Sequence, residues 1–293
     1  MVIIIFSLFY EDIKNIIEWF NRIGSPVGFE MLYIDKDPEI SSTGGVYFFK
    51  PEFSMNINPS YPLVQDDNCI LSFSHRTHYA DSYLDQINYL KKSGKYYFGL
   101  VFEGLFSGEM ELHDSIPGTS DITYNGYDLA LYLSSGYRFK KILLGVTLKY
   151  LREKIFIEDI STYGFDIGLT EEIGEGRFGL SLLNLGPKYY GKMRFRLPLT
   201  WRIGYGIEKG FNDYRIGIGI DIVKPLHNVT EFHTGLNFKY SFIDLSIGKK
   251  FRNNLEGLST GLTLSIRRLR FSYGFIILKN SDISSNIKTS WRF

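Results

Sequence analysis

From Cys69 to the end of the chain, apolar side chains recur at every second position in run after run. Tyr214, Ile216, Ile218, Ile220 and Ile222 alternate with Arg215, Gly217, Gly219 and Asp221; Ile142, Leu144, Val146, Leu148 and Tyr150 alternate with Leu143, Gly145, Thr147 and Lys149. Period two is the signature of a strand with one apolar face. Each run is about ten residues, the length a tilted strand needs to cross a bilayer. About fourteen such runs begin near 69, 83, 95, 124, 140, 161, 176, 197, 212, 229, 241, 256, 268 and 284. One face carries Tyr, Phe or Trp near its ends, whereas the other is small, polar or charged. The pattern predicts an all-β fold, a transmembrane antiparallel up-and-down β-barrel of about 14 strands over residues 69–293. A soluble two-sheet or closed barrel would also alternate, but this many long strands and these aromatic borders do not suit a packed interior.

The last strand ends on the chain's last residue. Ile287, Thr289, Trp291 and Phe293 share one face, with Lys288, Ser290 and Arg292 on the other. Thr289, Trp291 and Phe293 are therefore expected to form the C-terminal signal read by the barrel-assembly machinery, with Trp291 and Phe293 anchoring the strand at the lipid interface. Connections alternate short and long. Short ones lie near Lys91–Lys95, Phe139–Lys141, Glu171–Gly176, Lys209–Asp213, Tyr240–Phe242 and Arg267–Arg268. Longer ones lie near Ser107–Thr123, Arg152–Ser161, Gly186–Arg196, Lys224–Asn228, Phe251–Glu256 and Lys279–Ser284. Short periplasmic turns and longer extracellular loops are the barrel rule, and an even strand number puts residues 1–68 and Phe293 on the periplasmic side.

Residues 1–68 form a separate N-terminal segment. Ile13, Ile16, Ile17 and Phe20 share a helical face, predicting a short amphipathic helix from Asp12 to Ile23 that stops at Gly24. From Gly24 to Asn68 the chain is irregular and punctuated by prolines. Met1 to Phe9 is apolar but lacks a basic start and a small-residue cleavage site; it is either a truncated export signal or simply a hydrophobic segment. Gly204, Gly206, Gly217 and Gly219 fall on the inward face of neighbouring strands. They provide room either for strand twist and whatever fills the lumen, or for the N-terminal helix to pack there as the plug of a plug or hatch segment.

Composition narrows the chemistry. Lys+Arg number 33 and Asp+Glu 32, so the net charge of +1 favours no nucleic acid or acidic partner. A single cysteine, Cys69, excludes a disulfide framework. No run approaches the ~18 apolar residues of a helical span. Asp128, Arg138, Lys149, Asp166, Arg202, Arg215, Asp221, Lys239, Asp244, Arg267 and Arg270 alternate inward, which describes a hydrated or ion-paired lumen. No nucleophile–base pair emerges among them, so no catalytic site, metal site or cofactor is expected. His75 and His78, three apart on a strand, fall on opposite faces and make no chelate. His233 is expected to face the lumen beside Asn237 as part of a solvated pore wall. The Asn228–Thr230 sequon carries no meaning in a bacterial barrel.

An ordered series of motifs resembles the PorV/PorQ family of outer-membrane proteins. It comprises Leu71-Ser-Phe-Ser-His75, Tyr127-Asp-Leu-Ala-Leu131, Leu144-Gly-Val-Thr-Leu-Lys-Tyr150, Leu182-Leu-Asn-Leu-Gly-Pro187, the Phe195–Gly204 strand, Asp221-Ile-Val-Lys-Pro225 and the Trp291-Arg-Phe293 end. The resemblance covers about residues 69 to 293. It implies a FadL-type fourteen-stranded barrel in the bacterial outer membrane whose N-terminal segment enters the lumen. It also implies a docking or shuttle role for a secreted passenger or a type IX secretion partner, mediated by loops Ser107–Thr123 and Gly186–Arg196. The chain departs from the family at its N-terminus, where Tyr47–Phe53 retains only Pro51 of the usual Asn-Pro-Ala-Gly turn. The runner-up, from the wider FadL-type resemblance, is uptake of hydrophobic small molecules. A docking role predicts a lumen blocked by the N-terminal segment and loops with exposed aromatics, whereas uptake predicts an apolar pocket near the extracellular mouth and a lateral opening at a kinked strand.

Overall fold

The structure, a computed structural model, describes residues 27–79, 81–111, 123–187, 189–190, 194–226, 228–253, 255–279 and 283–293. The predicted helix from Asp12 to Ile23 and the opening apolar stretch lie outside them, as does most of the Ser107–Thr123 loop. Fourteen strands close into one antiparallel barrel: β1 (Cys69–Thr77), β2 (Tyr83–Ser93), β3 (Tyr96–Phe106), β4 (Tyr127–Phe139), β5 (Ile142–Ile155), β6 (Glu158–Ile173), β7 (Gly176–Leu185), β8 (Thr200–Phe211), β9 (Tyr214–Pro225), β10 (Glu231–Tyr240), β11 (Ile243–Phe251), β12 (Glu256–Ile266), β13 (Leu269–Leu278) and β14 (Ile283–Arg292). β14 closes on β1 from Ile70–Arg292 to Arg76–Asn286, and the Phe293 N–H adds a bond to the Cys69 carbonyl at 2.9 Å. Every strand pairs with its neighbours in sequence, so the topology is up-and-down.

Exposure alternates as the pattern requires. Along β5, Leu144, Val146, Leu148 and Tyr150 are exposed, while Leu143, Thr147, Lys149 and Leu151 are buried. The barrel is thus apolar outside and filled inside, and no described helix is long and apolar enough to cross a membrane. Aromatic pairs mark both rims. Tyr96–Tyr137, Phe211–Tyr214 and Trp291–Phe293 lie toward one end, and Tyr83–Phe106 toward the other.

At one end all six connections between consecutive strands are two-residue turns. Lys140, Ser241 and Arg267 take positive φ there, as do Gly94 and Gly174, the left-handed start that matches a turn to strand twist. At the other end the connections are longer, with one correction. The expected long Arg152–Ser161 loop is absent, because β5 and β6 continue to Ile155 and from Glu158 and leave a two-residue turn. The outward Arg152–Asp159 pair at 2.6 Å ties this projecting hairpin together. Its charges mimic loop chemistry, which is why the pattern reads as a loop.

Residues 27–68 occupy the lumen. They contain two 3₁₀ turns, Glu30–Tyr33 and Tyr61–Val64, and one helical turn, α1 (Pro38–Ser41), capped by the Asp37 carboxylate on the Glu39 N–H at 2.8 Å. Tyr47, Phe48, Phe53, Met55 and Tyr61 form a dry core with inward Leu90, Tyr97 and Leu143.

Candidate functional site: a plugged lumen beneath a cavity

The plug approaches the wall where the wall has no side chains. Gly145 and Gly168 are cross-strand partners, and a Cβ on either would overlap the Asn58–Ser60 turn. Gly206, Gly219, Gly235 and Gly248 form an unbroken row across β8 to β11, each paired with the next. Phe48, Val46, Phe49 and the Thr43–Gly44 backbone lie against that row. Gly204 meets Phe48, and Gly217 meets Phe49. These positions alternate with outward apolar residues, so the strand pattern itself directs them at the plug. Residues 43–49 lie against the inward glycines, whereas the predicted helix from Asp12 to Ile23, expected to pack there, lies outside the described residues.

Charge fixes the plug in register. Lys288 of β14 pairs with Asp37 at 2.7 Å and Glu39 at 2.8 Å, and Arg270 of β13 reaches Glu39 at 3.1 Å. Lys250 of β11 pairs with Asp35 at 2.6 Å and with Glu256. Arg76 of β1 pairs with Glu256 at 2.5 Å and donates to the Asp35 carbonyl. Lys36 of the plug pairs with Glu103 of β3, whose Oε1 also accepts from the Tyr132 hydroxyl. Burial favours the neutral form of Glu39, yet Arg270 and Lys288 outweigh it and hold the carboxyl at about 2. Burial wins at Asp37, pushing it up to about 6 against the pull of Lys288.

The inward residues expected from alternation sort as follows. Lys149 and Asp166 pair at 2.8 Å, and Arg202 pairs with Asp221 while donating to the Gly45 carbonyl at 2.7 Å. Asp244 lies 3.8 Å from Arg270 and directly across from Lys239. Arg138 bridges Glu172 at 2.5 Å to the Leu63 carbonyl at 2.7 Å, and Arg215 reaches Glu208 at 3.1 Å. Asp128 lies opposite Glu153 at the long-loop end. Arg267 is a correction: it is exposed in the β12–β13 turn at φ 53°, because β12 ends at Ile266 and strand parity no longer applies. His233 is also corrected in part. It faces inward, but it is 4% exposed and bonded through Nε2 to Glu231 at 3.0 Å, not solvated. His75 faces outward and pairs with Asp85 at 2.7 Å, while His78 lies past the end of β1. Thr289, Trp291 and Phe293 stand on the outer face, with Trp291 and Phe293 stacked at 6.1 Å.

Alternation put Lys288 on the inner face but did not single out Arg76, Glu103, Lys250 or Glu256, nor the plug acids Asp35, Asp37, Glu39 and Glu52. The available signal was the Asp35–Glu39 run, dense in charge within a segment otherwise rich in Pro, Phe and Tyr.

Between the plug and the long-loop rim lies a cavity of about 720 Å³, within the range of small-molecule sites. Its floor is the Phe29–Tyr33 stretch, set by Phe29 in the left-handed conformation with its N–H donating to Glu153 at 3.0 Å. Phe29, Met31, Leu32, Leu105, Ile155 and Phe195 supply apolar wall, and Asp128, Glu153, Glu231 and Asn253 supply polar wall. Burial pushes the Tyr33 phenol up, with the Thr200 hydroxyl offsetting part of the rise. Among the described residues no three His, Cys, Asp or Glu side chains are grouped as a metal would need.

Beside the cavity the wall is irregular. The β6–β7 register shifts between Phe165 and Ile167, and Asn184 takes φ 63° while its N–H bonds Asp166 at 2.7 Å. Residues 158–164 of β6 pair only with β5. Leu197, 4% exposed, fills the resulting notch between Gly164 and Gly186, where a Cβ on either would lie 2.6 or 2.7 Å from its Cδ1.

No family model and no curated protein matches the chain. Solved structures do match its fold. The toluene transporter TodX of P. putida aligns with a TM-score of 0.66 at 10% identity, over 89% of this chain and 99% of that one. The CymD monoaromatic hydrocarbon channel aligns at 0.63 and 12% identity, over 88% and 97%. The Ralstonia pickettii toluene transporter TbuX aligns at 0.62 and 11% identity, over 87% and 98%. At these identities the likeness is one of fold, a closed fourteen-stranded antiparallel barrel.

Proposed function

We propose that this protein is a bacterial outer-membrane channel that takes up hydrophobic small molecules. Uptake ranks ahead of the docking role that the PorV/PorQ resemblance implies. The carrying observation is the cavity above the plug, lined by apolar side chains such as Met31, Leu105 and Phe195 interspersed with charged ones and bordered by long-loop-end residues. The rim of two-residue turns then faces the periplasm and the cavity faces outside, following the barrel rule. The plug bars a straight aqueous path, a feature the docking role also predicts; in the uptake reading a bound molecule leaves sideways through the β6–β7 notch that Leu197 fills. Leu183, Asn184 and Phe195, which line the cavity, stand beside that notch. The fold neighbours, two toluene transporters and a monoaromatic hydrocarbon channel, fit this reading.

The test is binding of toluene and of a fluorescent apolar probe to purified protein in detergent. Leu105→Arg, which replaces an apolar lining side chain by a long charged one beside Asp128, should weaken both by at least tenfold while the barrel stays folded. Leu197→Ala leaves the cavity intact but opens the notch, so it should speed probe release several-fold with little change in folding. Unchanged binding in Leu105→Arg would count against capture at this cavity, and unchanged release in Leu197→Ala against the sideways route. Co-purification of a secreted protein in place of a lipid or hydrocarbon would return the docking role to first place.

A further inference from the structure

The outer face carries charge unevenly at its long-loop end. On β1 and β2 the outward His75 is matched by Asp85, and on β5 and β6 the outward Arg152 is matched by Asp159. Around β9 to β13 the situation differs. Lys224 follows Ile220 and Ile222 on the outer row of β9; Lys249 follows Leu245 and Ile247 on that of β11. Arg252 is exposed just past β11, and Lys279 continues the outer row of β13, its N–H bonded to the Leu255 carbonyl at 2.9 Å. Among the described residues the outward rows of β8 to β13 carry no Asp or Glu, and none of these four cations has a carboxylate partner. Lys224 and Arg252 lie within electrostatic reach of each other despite their like charge.

The apolar surroundings give the row its place. The Lys249 ammonium sits 4.9 Å from the Phe251 ring, and Lys224 is the cross-strand partner of Trp201. Cations above outward aromatics sit at headgroup depth, where long side chains carry charge up to the polar layer. Adjacent strands are about 4.8 Å apart, so the row from β9 to β13 spans roughly 20 Å. The Lys224 ammonium donates to the Asn228 carbonyl at 2.7 Å, a neutral acceptor, so the like charges at that depth are held without an anion among the described residues.

We infer that Lys224, Lys249, Arg252 and Lys279 form a docking row for phosphate groups of an anionic, phosphorylated glycolipid in the outer leaflet. The inference rests on the transmembrane fold and on the long-loop end facing outward, and is independent of what the cavity holds. Each basic residue near a lipid surface contributes about 1 kcal/mol toward anionic lipid, or about fivefold in affinity.

The test is retention of bisphosphorylated lipid A by the intact protein, read by native mass spectrometry from mixed micelles, with dephosphorylated lipid A and inorganic phosphate as separate arms. The variant K224Q/K249Q/R252Q should retain lipid A at least tenfold less than wild type. K140Q/K209Q at the opposite rim should retain it normally. Unshifted, heat-modifiable gel mobility checks that each barrel is folded, and if the triple variant fails that check, K249Q alone should lose about fivefold. Wild-type retention by a folded patch variant would overturn the inference. Equal retention of dephosphorylated lipid would overturn it by assigning binding to acyl chains, and full displacement by millimolar phosphate would assign the site to the free ion.

Discussion

Replacing Gly235 by valine tests the idea that the glycine row seats the plug. Valine suits a strand interior, so β10 itself has no reason to fail. A Cβ at this position lies 2.6 Å from the Thr43 carbonyl oxygen and 3.2 Å from Phe49 Cε2, about 0.7 Å inside ordinary carbon–oxygen contact. The overlap is with plug backbone, which cannot rotate away as a side-chain tip can. Retreat of residues 42–45 would break the Gly44 N–H bond to Ser259 at 3.1 Å, the Ser259 hydroxyl bond to the Ser42 carbonyl at 3.1 Å and the Ser42–Ser246 hydroxyl contact at 2.6 Å. At about 1 kcal/mol net each, docking weakens by about 3 kcal/mol, on the order of 100-fold in the docked-to-released ratio. Limited proteolysis of the folded barrel in detergent should then cleave within 27–68 roughly 100-fold faster, wherever opening precedes cleavage. Gly210→Val is the control, because a Cβ there meets nothing within 4 Å. Wild-type protection in a folded Gly235→Val barrel would refute the seating.

Two further outcomes follow from the charges and from the closing strand. Glu39 is held at about 2, below its unfolded value, so its share of docking is present above pH ~4.5 and lost as pH falls from there toward about 2. Asp37, pushed up to about 6, acts with the opposite sign and favours docking as pH falls from about 6 to about 4. Plug protection should therefore peak near pH 4–5, and Glu39→Gln should remove the acid limb; a profile flat from pH 7 to 3 would contradict both assignments. Phe293→Lys should lower the yield of assembled barrel several-fold, since Phe293 stacks with Trp291 on the outer face and its N–H joins β14 to β1; normal heat-modifiable assembly would argue against the C-terminal signal.

The barrel was legible because period two survives any interior. Ile216, Ile218 and Ile220 announce a lipid face whatever lies behind them, and fourteen strand starts fall within a few residues of where alternation puts them. What lies behind them was harder to read. Gly206, Gly219, Gly235 and Gly248 are scattered over 43 positions of sequence and become a row only once the register pairs each with the next. Arg267 fails for a local reason, since one residue past a strand end parity means nothing. The β5–β6 hairpin fails because charge at Arg152 and Asp159 reads as loop whether it lies in a strand beyond the bilayer or in no strand at all.

The buried ion pairs raise a separate physical question, since pairing rarely recovers the full desolvation cost of two charges. Lys288 and Arg270 are therefore weak explanations of why residues 27–68 bind the lumen; the dry contacts of Tyr47, Phe48, Phe53 and Tyr61 do that better. What the charges add is position. The helical turn α1 could slide along a smooth glycine wall at little apolar cost, but any slide leaves Lys288, Asp37 and Glu39 buried and unmatched, a penalty of about 3–5 kcal/mol for each broken pair. Glycines supply a groove without register, and charges supply register without much net affinity. A plug built this way stays in one place while depending on polar contacts that water or acid can replace.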